Sequence, residues 1–396
     1  MSTSAPLHFL IVMAATHGLY AESFLRELKR QGHRVVVVTR AEALGYDWPR
    51  EYIDALYAVK NIFDADELRN AVTYLAREER IDRLVGPGEY DIELAARLRE
   101  HLRVPGMGDS RSRYFRDKLA MRDRAQSGGV PVPRFVAAIH RPTIAQFLNE
   151  VPGPWVLKPR TEASSKGIQV LKDHEQVWRA LDALGDTAAD HLIERFVPGD
   201  VFHVDGVVSR GQVLFAAPHR YGKPILRLHK EGGVYTTWRL QDESPEAKAL
   251  LALNQEVVTA LGLREGVTHI EYIRDEDGKF FFLEAGARVG AGLIEEMVEA
   301  HSGVNLWAEW ARIEIAEAKN EPYQLPPVKH GYAGVLASAV HHQQPDPRPY
   351  LSEGVRFLPS KPYHIGLLVQ AESADAVAAR LQELAQRVGR ELSARF

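Results

Sequence analysis

Residues 268–292 constrain the chain most. They hold two apolar runs around the pair Asp277-Gly278 and end in Ala285-Gly286-Ala287-Arg288-Val289-Gly290-Ala291-Gly292. An Asp-Gly pair between two such runs predicts a β-hairpin with a two-residue loop. In that register Glu271 lies directly across from Glu284. Like charges opposed on one sheet face destabilise it, and a cation between the carboxylates removes the repulsion. Oxygen ligands suit Mg²⁺, which keeps waters and shares itself with substrate phosphates. Strict alternation puts Phe280 and Phe282 on the face of Glu284. Arg288 follows among small residues that let a ligand come close. A solvated edge hairpin is the alternative reading of the same residues.

The chain has 396 residues, enough for two or three domains. Its 45% hydrophobic and 26% charged content is ordinary for a soluble globular protein. A net charge of −4 carries no footprint of a nucleic-acid binder. The absence of cysteine excludes disulfides, thiolate catalysis and thiolate metal sites. The apolar run 9–15 lacks a basic leader and is too short to span a bilayer, so it reads as a first buried strand. No stretch approaches membrane-spanning length, so the expected setting is the cytoplasm, with no membrane partner.

Residues 1–110 alternate strands (9–14, 35–39, 56–59, 84–86) with helices (21–31, 64–79, 90–102). This predicts a parallel sheet covered on both faces, Rossmann-like in kind. The dinucleotide fingerprint is missing: the first turn reads Ala15-Thr16-His17-Gly18-Leu19, and Thr39-Arg40 replaces the expected acid. Nicotinamide chemistry is therefore excluded. Gly86-Pro87-Gly88-Glu89 ends a parallel strand, where such sheets place ligands, which makes Glu89 a candidate substrate contact. A plain helix-start acid is the other reading of Glu89.

A basic helix is predicted over 111–126, containing Asp117-Lys118. The run Gly129-Val130-Pro131-Val132-Pro133 leads into a strand at 134–138 and a helix at 143–149. Lys158 lies inside the apolar strand 155–159, and a buried lysine needs a partner. The loop with Ser164, Ser165, Lys166 and Gly167 lets backbone amides approach an anion, although it is no Walker A sequence. A strand at 191–197 stops at Pro198-Gly199. The next, at 201–208, puts Val201, His203, Asp205 and Val207 on one face. The break between them is a predicted hinge between two lobes, with backbone suited to a purine edge. Residues 219–237, including His219, Arg220, Arg227, His229 and Lys230, are expected to form a mobile loop over an anionic ligand. A helix over 293–318 is interrupted at His301-Ser302-Gly303. Strands at 332–340, 355–358 and 365–369 precede a last helix, 374–390, with an apolar stripe of Val377, Leu381, Leu384 and Val388.

Taken together, these pieces resemble the ATP-grasp family over nearly the whole chain. They stand in family order: Asp117-Lys118, the 129–133 run, Lys158-Pro159 with Ser165-Lys166-Gly167, Glu194-Arg195-Phe196-Val197-Pro198-Gly199, Glu271, and Glu284-Ala285-Gly286-Ala287-Arg288. The tail from Glu284 to Arg288 looks most like that of carboxylate–amine ligases, especially L-amino acid ligases that make dipeptides. The resemblance implies an α/β protein with α+β lobes. A Rossmann-like domain (1–112) would precede a small lobe (113–195) and a large lobe with a C-terminal subdomain (196–396), with ATP between the lobes.

It further implies that Lys118 and Lys158 contact the ATP phosphates and that Ser164, Ser165, Lys166 and Gly167 cover them. Glu194, Arg195, Phe196 and Val197 would hold adenine. Glu271 and Glu284 would hold Mg²⁺, which Mn²⁺ can replace. Arg288 would steady an acyl phosphate, with Lys158 as its catalytic companion. Glu89, Arg227, Lys230 and Arg288 would face the substrates. Two positions depart from the family pattern. Gly286 stands where many relatives carry asparagine, and Val201 where many carry a ribose-binding glutamate. Asp200 or His203 would then serve the ribose. The implied activity is ATP-dependent joining of an amino acid carboxylate to an amine, releasing ADP and phosphate. The implied partners are small molecules, not nucleic acid, with a homodimer as the default assembly. A biotin-carboxylase-type carboxylase and a non-catalytic ATP-binding regulatory module are the alternatives.

Overall fold

The structure, a computed structural model, describes residues 5–15, 17, 20–359 and 361–392, without the side chains of His229 and Lys230. Its frame is three β-sheets. The first holds β1 (His8–Val12), β2 (Arg34–Arg40), β3 (Ala55–Val59) and β4 (Arg83–Val85) in the order β3-β2-β1-β4. All its pairings are parallel. The four valines of β2 explain why both faces are covered. Val36 and Val38 pack with Leu68, Val72 and Leu94 from the helices Ala65–Leu75 and Asp91–Leu102. Val35 and Val37 join a core that reaches Trp307 and Trp310 in the helix Leu306–Lys319. A continuous apolar run is what a doubly covered parallel strand requires.

The second sheet is antiparallel, with β5 (Phe135–Ala137), β6 (Trp155–Pro159), β7 (Gln169–Leu171) and β8 (His191–Arg195) in the order β5-β8-β6-β7. The helices Arg141–Glu150 and His174–Leu184 close its core through Phe147, Leu148, Val177 and Leu181. The third sheet has eight antiparallel strands: β9 (Asp200–Ser209), β10 (Gln212–Tyr221), β11 (Tyr235–Arg239), β12 (Gly266–Arg274), β13 (Phe280–Gly286), β14 (Tyr332–Ala339), β15 (Val355–Leu358) and β16 (His364–Ala371). Their order is β13-β12-β9-β10-β11-β14-β16-β15. The helix Pro245–Leu261 packs on one face through Leu250 and Val257. The helix Ala374–Glu391 buries Val377, Leu381, Leu384 and Val388, the stripe read from the sequence. Each such side chain contributes about 2 kcal/mol on burial.

Two local expectations are corrected. The helix expected over 111–126 is broken: Asp117 is the N-cap of Lys118–Ser127, its carboxylate accepting from the N–H groups of Leu119 and Ala120. An N-cap carboxylate satisfies orphan donors that a continuous helix would not have. Residues 219–237 are no open loop. His219 and Arg220 belong to β10, a helix spans Ile225–Glu231, and β11 follows. Buried polar residues in a strand resemble a loop when composition alone is weighed. The 293–318 stretch breaks at Gly303, within the interruption read from the sequence, into the helices Ile294–Ser302 and Leu306–Lys319.

The chain crosses from the second sheet to the third through residues 196–199. Gly199 has φ +154°, and a Cβ there would stand 1.9 Å from the carbonyl oxygen of Arg274. Both observations demand glycine. Gly199→Ala is expected to lower stability by at least ~2 kcal/mol, seen as a lower Tm in thermal unfolding. An unchanged Tm would mean that this crossing is not tightly packed.

Candidate active site

The β12–β13 hairpin pairs Glu271 with Glu284, the predicted neighbours, but reaches that register by another route. Asp275 O accepts from the N–H of Gly278, and Gly278 is left-handed at φ +83°. The loop is therefore longer than two residues, and Arg274 pairs with Phe280. A bulge between Glu271 and Tyr272 leaves Leu283 as the extra residue and restores the expected pairing of the glutamates. It also breaks the alternation. Phe280 and Phe282 enter the core under the helix Pro245–Leu261, while Leu283 and Glu284 line a cavity. The expectation that both phenylalanines share the face of Glu284 is thus overturned.

That cavity, of about 510 Å³, lies between the second and third sheets. It is lined by Lys118, Lys158, Ser164, Ser165 and Lys166, by Glu194, Arg195, Phe196 and Val197, and by Arg227, Glu271, Glu284 and Arg288. Gly167 adjoins it as the end of the serine loop, with φ +74°. Ser164 and Ser165 are left-handed as well, at φ 55° and 57°. Such strain in non-glycine residues concentrates at ligand-clamping loops.

Each lysine already has a carboxylate partner. Lys158 Nζ stands 2.5 Å from Glu194 Oε2, and Arg122 Nε donates to Glu194 Oε1 at 2.5 Å. Arg122 is fully buried, its guanidinium 5.5 Å from the Phe282 ring centroid. Burial pushes Lys158 down to about 8, against the pull of Glu194. Burial would raise Glu194, but Arg122 and Lys158 hold it below the usual carboxylate range. Lys118 Nζ donates to Glu284 Oε1 at 2.8 Å and to the Glu162 carbonyl at 2.6 Å. No hydrogen bond takes the Val197 N–H among the described residues.

Glu271 has different neighbours. Tyr221 donates to its Oε1 at 2.8 Å, and His269 Nε2 stands 3.6 Å from the same oxygen. Behind them lies a polar cluster that the sequence reading missed. Asp205 is fully buried; His203 Nδ1 lies 2.7 Å from its Oδ2 and His269 Nδ1 2.8 Å from its Oδ1. His219 Nδ1 stands 3.0 Å from Oδ2, off the line of a hydrogen bond, and its Nε2 lies 3.1 Å from His301 Nε2. Against burial, Asp205 raises His269 to about 9, whereas burial lowers His219 to about 4. One signal was available: polar residues at every second place in apolar strands, as in Phe202-His203-Val204-Asp205 and His269-Ile270-Glu271.

Two assigned residues fall elsewhere. His203, expected near ribose, is fully buried, lies 2.7 Å from Thr237 Oγ1 through Nε2, and does not line the cavity. Asp200 pairs instead with Arg220. Val201 joins Val197 and Ile273 in an apolar wall. Glu89 does not line the cavity either. Its two oxygens hold Arg288 Nε and Arg116 NH1. Burial would raise its pKa, but the two guanidiniums hold it well below the usual carboxylate range. Arg116 also donates to the Thr161 carbonyl at 2.6 Å, tying Glu89 to the strand end that leads into the serine loop. Gly286 fits this arrangement, since a Cβ there would stand 3.2 Å from Arg288 Cγ. The side chain of Lys230 lies outside the described residues.

Glu271 and Glu284 fit a hard divalent cation. They are adjacent carboxylates, and Oε2 of each makes no hydrogen bond among the described residues. Two antiparallel sheets with Lys118 and Lys158 lining the cavity between them are the layout of an ATP-grasp fold. The comparisons agree. A family model described as ATP-grasp domain matches residues 151–296. The L-arginine-specific L-amino acid ligase of Bacillus subtilis is 23% identical over 68% of this chain and 66% of its own length. The D-alanine–D-alanine ligase B of Pseudomonas putida is 28% identical over 54% and 69%. The crystal structure of an L-amino acid ligase from Bacillus licheniformis superposes with a TM-score of 0.76 at 20% identity, covering 98% of both chains. N5-carboxyaminoimidazole ribonucleotide synthetase from Thermus thermophilus follows at TM-score 0.71 and 17% identity, covering 98% and 99%. An ATP-grasp domain thus occupies residues 151–296, on a fold shared along the chain with the superposed structures.

Removing Glu89 leaves two buried guanidiniums facing each other. Glu89→Gln is expected to cost about 3 kcal/mol in a chemical denaturation series. Within this pair of outcomes, a cost near zero would show that Arg288 is held by other contacts.

Proposed function

We propose that the protein is an ATP-dependent ligase that activates an amino acid carboxylate, or a related acid, as an acyl phosphate and joins it to an amine. The observation that carries this reading is the convergence of Lys118, Lys158, Glu271, Glu284 and Arg288 on one cavity between two sheets. A carboxylate is a poor electrophile. Its oxygen attacks the γ-phosphorus of ATP, the bond to ADP breaks, and the acyl phosphate forms. The amine nitrogen then attacks the acyl carbon, the bond to phosphate breaks, and the nitrogen gives up its proton as the amide forms.

The chain's own residues position the partners and oppose charge. Lys118 and Lys158 hold the phosphates, exchanging Glu284 and Glu194 for phosphate oxygens. The 164–167 loop covers them, and adenine lies against Glu194, Arg195, Phe196 and Val197. Glu271 and Glu284 would hold Mg²⁺, which supplies positive charge beside the transferring phosphoryl group. Arg288, braced by Glu89, steadies the acyl phosphate and the tetrahedral state after it. Arg227 and the helix Ile225–Glu231 keep water from that intermediate. A cytoplasmic setting goes with this reading, since ATP is supplied there. No helix among the described residues is long and apolar enough to cross a membrane.

A phosphate-release screen over pairs of amino acids, with product mass measured, tests the reading. ADP and phosphate are expected only when acid and amine are both present. AMP as product would sink the proposal, and bicarbonate-dependent release without any amine would move the chain to the carboxylases. Glu284→Ala is expected to lower kcat at least about a hundredfold. Lys158 sets a pH dependence. Its ammonium is populated below about 8 in the free enzyme and lost above. Nucleotide affinity, followed by calorimetry, therefore falls as pH rises through that value. Lys158→Arg should flatten the profile, because a guanidinium keeps its charge throughout.

A further inference from the structure

The polar cluster behind Glu271 has no part in the reading above. Across four neighbouring strands a single lateral row runs Glu271, His203, His219 and Arg239. Asp205 lies one step away, directly opposite His269 on β12. Asp205 and His203 are fully buried and His269 is 7% exposed. Burying a carboxylate is costly, and apolar side chains of the same volume would pack as well. The cluster is not itself a good cation site. Its ring nitrogens stand 2.7–3.0 Å from the Asp205 oxygens, which is hydrogen-bond spacing, whereas neighbouring ligands around a tetrahedral zinc lie about 3.3 Å apart.

The geometry points to Asp205 and His269 as positioning residues for Glu271. Asp205 Oδ1 takes Nδ1 of His269 at 2.8 Å, which turns the Nε2 edge of that ring toward Glu271. His269 and Tyr221 then face the same oxygen, Oε1. Oε2 is left as the oxygen offered to a divalent cation. The chain just after Arg288 seals the arrangement, because a Cβ on Gly290 would stand 2.9 Å from His269 Nδ1 and 3.0 Å from Asp205 Oδ1. The backbone that carries Arg288 therefore lies against the bond that aims Glu271. Outer contacts of this kind orient a ligating carboxylate and tune its affinity for the ion.

The inference rests on the reading of Glu271 as a metal ligand, and the test separates the two. Mn²⁺ binding to the full chain is followed by electron paramagnetic resonance with a non-hydrolysable ATP analogue present. Nucleotide affinity is measured separately in a chelator. His269→Phe and Asp205→Asn are expected to weaken Mn²⁺ binding about tenfold to a hundredfold, with chelator-state nucleotide affinity unchanged. His269→Gln, which keeps a donor, should recover most of the loss. Should His269→Phe not fold, the isosteric Asp205→Asn carries the test. Mn²⁺ affinity within twofold of wild type in both variants, with only a lower Tm, would overturn the inference and leave a structural role. Glu271→Gln binding Mn²⁺ as wild type does would instead overturn the metal reading on which it stands.

Discussion

Two glutamates held side by side on adjacent strands set the terms for the rest of this molecule. The β12–β13 pairing puts Glu271 next to Glu284, and their repulsion has to be met. It is met from two directions. Lys118, from the start of the helix Lys118–Ser127, reaches Glu284. Tyr221 and His269, from the large sheet itself, take Glu271. Each carboxylate thereby meets its partner through one oxygen with the other left over, which suits a hard cation.

A second arrangement couples the N-terminal sheet to this site. Glu89 leaves the end of β4 and grips Arg288 and Arg116 together. Arg116 continues to Thr161, just ahead of the serine loop. The first sheet therefore reaches Arg288 through a brace, and none of its strands lines the cavity among the described residues. Since a buried ion pair tolerates little displacement before its desolvation goes uncompensated, movement of any one of the three sheets would be felt at Arg288.

Much of the layering was legible in the sequence. The valines of β2 announce a doubly covered parallel strand, and the stripe from Val377 to Val388 announces the last helix. The glutamate pairing was legible too, although the loop and the bulge that produce it were not. Two one-residue offsets cancel there, and periodicity alone reports neither. The buried histidines were misread for a related reason. His219 and Arg220 look like loop residues until neighbouring strands supply Asp205 and Thr237 as partners. Glu89 and His203 were assigned to ligands because each sits where ligands gather, and both turned out to face protein.

The sequence alone therefore determined the order of layers and the serine loop, and the family resemblance it carries pointed to the charged residues that meet in the cavity. The layers follow from spacing along the chain, where side chains two or three to four places apart share a face. Tertiary structure alone decided which charge neutralises which. Lys118 and Glu284 are 166 residues apart, and Glu89 and Arg288 are 199 apart. No local period links positions so distant. Their pairing exists only once three separately built sheets close on one another and exclude the water that would otherwise solvate each charge by itself.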